Sequence, residues 1–122
     1  MAKIMVVDDE DDVRESTKTI LEAIGHKVVT AKDGLECLAK LRAGEKMDLV
    51  LLDFFMPGMS GRDVLEEIRK DKKLAKTKVA LMTVARMSET GEKQMRKLGM
   101  ADFIPKLVDL ADLKKRIAKL LK

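Results

Sequence analysis

Five short runs of this chain are β-branched or continuously apolar, and each is separated from the next by a stretch with helical spacing. The runs are Lys3 to Val7, Lys27 to Ala31, Leu49 to Leu52, Lys78 to Met82 and Phe103 to Pro105. A strand wetted on one face alternates apolar with polar residues, so runs without that alternation are expected to be covered on both faces. Between them, Val13, Ile20, Leu21 and Ile24 share a helical face that stops at Gly25, and Leu35, Leu38 and Leu41 share another that stops at Gly44. Val64, Leu65 and Ile68 mark a third helix, Ser88 to Leu98 a fourth, and Leu110, Leu113, Ile117, Leu120 and Leu121 a fifth. The fourth is the weakest and the expected mobile element, because Thr90, Gly91, Gln94 and Met95 make a poor apolar face. Strands alternating with helices call for right-handed crossovers and an α/β fold, a doubly wound parallel sheet between two helix layers.

A length of 122 residues suits one domain, enough to bury roughly two-thirds of the surface of the unfolded chain. With Phe54, Phe55 and Phe103 as the only aromatics, the core must be packed from Leu, Val, Ile, Ala and Met. No apolar run is long enough to span a membrane, and MAKIMVVDD turns acidic before a signal-peptide core can form, so the cytoplasm is expected. A lone Cys37, with no Cys or clustered His to pair with, agrees with a reducing compartment; it reads as a plain helix residue.

Charge is segregated: residues 1–61 carry 8 basic and 12 acidic side chains, residues 62–122 carry 17 and 9. The basic half holds KDKKLAKTK at 70–78 and LKKRIAKLLK at 113–122. Without interleaved aromatics these read as solvated helix faces and a loop, and nucleic-acid binding is not expected.

In an open parallel sheet, ligands sit beyond the carboxyl ends of the strands, where the strand order reverses. Strand one ends in Asp8 and Asp9, strand three in Asp53, strand four in Thr83 and strand five in Lys106. Singly, each has an ordinary explanation: Asp8, Asp9, Asp11 and Asp12 can cap the first helix, Thr83 can serve a turn, and Lys106 can be a solvated charge. Together, three carboxylates on one edge repel one another and call for a cation. With no His or Cys in the set, a hard oxygen-seeking ion such as Mg²⁺ fits better than zinc. A lysine and a hydroxyl on the same rim then offer what a phosphoryl group needs, and the central carboxylate can be the nucleophile.

The whole chain, residues 1–122, resembles the receiver domain of a two-component response regulator, of the single-domain CheY-like kind. The resemblance rests on VVDDE at 6–10, the D-x-x-M-P-G-M-x-G run from Asp53 to Gly61, LMT at 81–83 and GMADFIPK at 99–106. It implies a flavodoxin-like sheet of order 2-1-3-4-5 with five helices, serving as a phosphorylation-dependent signalling switch rather than an enzyme with a separate substrate. Asp53 would accept a phosphoryl group from a histidine kinase. Asp8 and Asp9 would hold Mg²⁺ with Asp53 and the backbone carbonyl of Phe55. Lys106 would pair with Asp53 or its phosphate, Thr83 would bond a phosphoryl oxygen, and Phe103 would turn inward as Thr83 moves. That motion would couple the site to an output protein at the face of helix four, strand five and helix five. Helix one, through Val13, Arg14, Thr17 and Ile20, would receive the kinase or a phosphotransfer protein; the plainer reading makes Val13 and Ile20 core and the other two solvated.

Two departures from the family pattern stand out. Leu107 follows Lys106 where proline is usual, and the proline sits one place earlier, at Pro105, tolerable because strand five would be an edge strand. Val84 replaces the usual small residue after the hydroxyl and would narrow access to Asp53, whereas Ala85 is small. Phe55 is bulky where water would approach, so slow loss of phosphate is expected. Among rival functions, an aspartyl-nucleophile phosphatase would want an acid/base two residues after its Asp, and Phe55 cannot transfer protons. A flavin carrier would need a phosphate-binding loop where DDEDD stands. A receiver fold serving as a constant, non-switching docking module is the main alternative.

Overall fold

The computed structural model describes residues 2–84, 87–106 and 108–122. Strands β1 (Lys3–Val7), β2 (Lys27–Ala31), β3 (Leu49–Asp53), β4 (Val79–Thr83) and β5 (Met100–Pro105) alternate with helices α1 (Asp11–Ala23), α2 (Gly34–Arg42), α3 (Gly61–Lys70), α4 (Glu89–Lys97) and α5 (Leu110–Leu120). The sheet is parallel throughout, in the order β2-β1-β3-β4-β5. It is the doubly wound parallel sheet expected from the alternation of strands and helices, with the flavodoxin-like order that the family resemblance implies.

Strand periodicity splits the core into two faces. Met5, Val7, Val50, Leu52 and Leu81 pack with Leu38, Leu41, Val64, Leu65, Ile68 and Met95, under α2, α3 and α4. Ile4, Val6, Leu49, Leu51, Met82 and Ile104 pack on the opposite side with Leu21, Leu113, Ile117 and Leu120, under α1 and α5. All five residues of β3 and of β4 are buried, as central strands covered on both faces must be.

β5 begins at Met100, earlier than its apolar run suggests, because backbone pairing with β4 extends it through Ala101 and Asp102 past a register shift at Val79/Ala80. Pro105 sits on this edge strand. The Lys106 amide donates to the Thr83 carbonyl at 2.8 Å, and alternation turns the preceding position outward, so the missing N–H of Pro105 falls on the open side.

Two leucines read as core are not: Leu35 is 70% and Leu110 57% exposed. Both occupy first-turn positions at the sheet's carboxyl end, with Cys37, Leu38 and Leu113 taking the inner positions. Met95, counted toward a poor face, is fully buried and anchors α4, which Ser88 caps by accepting from the Gly91 amide. Cys37 is enclosed, and burial pushes its thiol up to about 12, an inert packing group. No helix among the described residues is long and apolar enough to cross a membrane.

Candidate functional site

The period of two that packs the sheet also builds the site. Asp8, Asp53 and Lys106 lie two residues beyond Val6, Leu51 and Ile104, all on the α1/α5 side, and so emerge together past the strands' carboxyl ends. Their side chains are nearly sealed from water, at 6%, 4% and 7% exposure. The Lys106 ammonium donates to Asp53 Oδ2 at 3.0 Å and lies 2.9 Å from Asp8 Oδ2. Oxygens of Asp8, Asp9 and Asp53 all lie within 4.8 Å of one another; Asp9 is the exposed member.

Burial is the main reason that the Asp53 carboxyl is pushed up to about 6. The hydrogen bond and charge of Lys106 pull it back, while Asp8 and Asp9 push it further up. For Lys106, burial pulls down, but the hydrogen bonds to Asp8 and Asp53 and the charges of both carboxylates together outweigh it, and its pKa ends above the ordinary value. Three clustered carboxylates against one ammonium leave the pocket short of positive charge. An oxygen-only donor set with one open, wet member fits a hard divalent cation that keeps part of its water.

The first helix does not use these acids as caps: its N-cap is Glu10, and no side chain caps it. Asp8 Oδ1 instead accepts from the Glu10 amide at 2.9 Å, which orients the carboxylate. The β3–α3 loop is held just as firmly. The Phe54 amide donates to Met82 O and the Gly61 amide to Phe54 O, each at 2.8 Å. A Cβ at position 61 would lie 2.6 Å from the Asp53 carbonyl oxygen, so only glycine admits this approach of α3 to the acceptor strand. Gly58 turns the loop with φ +76°.

Thr83 ends β4 buried, and strand alternation puts it with Leu81 on the α2–α4 side. Half-buried Phe103 packs against that same cluster. Arg116 donates to Phe103 O at 3.2 Å and pairs with Asp102 and Asp112, tying β5 to α5. Phe55 is 57% exposed and meets Phe54 edge-on at 4.8 Å, and Val84 is 73% exposed. Leu107 and Ala85 lie outside the described residues.

On α1 the solvated reading of two residues fails. Thr17 is buried, its hydroxyl bonded to Val13 O at 2.8 Å, and it offers a partner little surface. Arg14 folds back to donate to Asp8 O at 2.9 Å and pairs with Asp11, so it braces the acid loop. Val13 and Ile20 are half-buried. Three contributors went unread in the sequence: Arg14 as a brace, Gly61 as a spacer, and Glu10, whose Oε1 lies 3.7 Å from Lys106 Nζ. The available signals were the position of Glu10 directly after the acid pair and of Gly61 at the close of its motif.

Residues 4–118 match the family model described as the response regulator receiver domain. The chain is 37% identical over 122 residues to a CpxR homolog, a transcriptional regulatory protein of Haemophilus influenzae, covering all of this chain and 51% of that protein. It thus spans about half the length of the CpxR-type relatives it matches. Protein PilH of Pseudomonas aeruginosa is 33% identical over 117 residues, covering 96% of this chain and 95% of PilH. Among solved structures, chemotaxis protein CheY4 of Vibrio cholerae superposes with a TM-score of 0.91 at 27% identity, covering 99% of both chains. Response regulator TrrA of Thermotoga maritima, in complex with Mg²⁺-BeF, gives 0.83 at 37% identity, covering 99% of this chain and all of TrrA.

Proposed function

Given that the chain belongs to the response regulator receiver domain family, we propose that its residues 1–122 form one receiver domain that takes a phosphoryl group onto Asp53 and changes partner binding as a result. The observation that carries this reading is the Lys106 ammonium, 3.0 Å from Asp53 and 2.9 Å from Asp8 in a nearly sealed pocket.

With its pKa near 6, Asp53 is mostly ionised at neutral pH and can act as a nucleophile. A carboxylate oxygen attacks the phosphorus of a phosphohistidine, an O–P bond forms, the N–P bond breaks and the electron pair leaves with the imidazole. Asp8, Asp9 and Asp53, with the Phe55 carbonyl, are the residues that would hold Mg²⁺, which supplies positive charge against the phosphoryl oxygens. The complex of TrrA with Mg²⁺-BeF supports the choice of ion. Once Asp53 is phosphorylated, its bond to Lys106 is freed for a phosphoryl oxygen, and the Thr83 hydroxyl serves another. Drawing Thr83 toward the phosphate opens room on the face that it shares with Phe103, which turns inward.

The donor is a histidine kinase or phosphotransfer protein in the cytoplasm, docking beside α1 at Val13, Arg14 and Ile20. The output protein reads the α4–β5–α5 face. Catalysis is limited to the chain's own phosphoryl uptake and hydrolysis. Incubation with Mg²⁺ and acetyl phosphate, followed by intact mass measurement, should add one phosphoryl group, and Asp53→Ala should abolish it. No adduct under any condition would favour a constant docking module.

A further inference from the structure

At the end of the sheet opposite Asp53, the α2–β3 and α3–β4 connections enclose an open groove of about 960 Å³. Its floor is apolar, from Leu41, Met47 and Leu74, and its rim is basic, with Lys46, Lys72, Lys73 and Lys76 exposed. Arg42, in the last turn of α2, is explained by the helix dipole and is paired with Glu67 and Asp71. The four lysines lie beyond the helices and have no ion pair among the described residues. Four unpaired ammoniums around one groove repel one another and favour an anionic occupant.

The rim is preformed. Arg69 donates to Ala75 O at 2.9 Å and Thr77 O at 2.7 Å, and Leu74 is buried beneath the turn.

We propose that this groove binds an acidic peptide segment with apolar side chains, contributed by a partner protein. Carboxylates of the segment meet the lysines, and an apolar side chain covers Leu74 and Met47. A nucleic acid fits less well: among the described residues, those lining the groove offer no aromatic for a base to stack on.

The test titrates the whole chain into a fluorescein-labelled peptide of alternating Asp and Leu and follows anisotropy. Saturable binding is expected, weakened on the order of tenfold by combined Lys72→Glu, Lys73→Glu and Lys76→Glu. Replacing the peptide's Leu by Ser should also weaken it. Asp53→Ala should leave it unchanged, which separates this site from the phosphoryl switch. On the unmodified chain, amide chemical shifts should change at residues 42–47 and 71–77. The proposal is overturned by no saturable binding, by equal affinity of the triple variant, or by shifts confined to other residues. Tighter binding to a DNA duplex, or to vesicles of equimolar phosphatidylserine and phosphatidylcholine, than to the peptide also overturns it.

Discussion

Lys106 Nζ lies 3.0 Å from Asp53 Oδ2, and neither side chain is more than 7% exposed. The ammonium does not fully compensate the carboxylate, since burial still leaves Asp53 near 6 against an ordinary 3.8. A carboxyl group whose folded pKa is raised binds its proton more tightly when folded. Its stabilising contribution is therefore present below about pH 4 and lost as pH rises through about 6. Asp53→Asn in metal-free buffer should then raise stability at pH 7, by about 1–3 kcal/mol, and bring no gain below pH 4. Chemical denaturation of both proteins at the two pH values checks this; an Asn variant less stable at pH 7 would refute it.

Divalent cation should act on the same imbalance. Bound to the folded chain alone, millimolar Mg²⁺ should raise the melting temperature. The gain should shrink between pH 7 and pH 5, because protons compete for Asp53 across its pKa near 6. Asp8→Asn should lose most of the gain. Melting curves with Mg²⁺ and with EDTA decide it, and equal midpoints would mean that the pocket does not hold the ion.

Which parts of this arrangement were legible in the sequence follows from what backbone periodicity encodes. Leu49–Leu52 and Val79–Met82 announce buried strands because nothing polar interrupts them, and Asp53 and Thr83 stand out by ending them. The convergence of Asp8, Asp53 and Lys106 also follows, since strand alternation projects all three on one side. Long side chains escape such reasoning. Arg14 has the spacing of a solvent residue, yet it bends back to the Asp8 carbonyl; Thr17 is buried because its hydroxyl is satisfied within its own helix. Leu35 and Leu110 have core spacing but sit in first turns, where the sheet no longer lies beneath the helix.

Gly61 sets the distance between α3 and the acceptor strand. Gly61→Ala would drive a methyl against Asp53 O and Phe54 Cα, at 2.6 and 2.8 Å. A cost of about 1–3 kcal/mol is expected from this overpacking, together with shifted amide resonances at Asp53 and Phe54. Urea denaturation and heteronuclear NMR measure both; an unshifted Asp53 amide would count against the spacer role.

Phe55 is expected to govern the lifetime of a phosphoryl group on Asp53. Its ring is exposed and meets Phe54 edge-on, two residues after the acceptor, and should hinder an attacking water. Phe55→Asn replaces it with a smaller group that can hydrogen-bond water, so the phosphorylated half-life should fall several-fold. Following loss of ³²P from labelled protein tests this, and an unchanged or longer half-life would contradict it.

The most direct test of the central claim is chemical mapping of the acceptor. Borohydride reduces an aspartyl phosphate to homoserine, so phosphorylation with acetyl phosphate and Mg²⁺, reduction, digestion and mass spectrometry identify the modified residue. The account predicts homoserine at position 53 alone, absent without Mg²⁺. Homoserine at another aspartate, or at none, would contradict it.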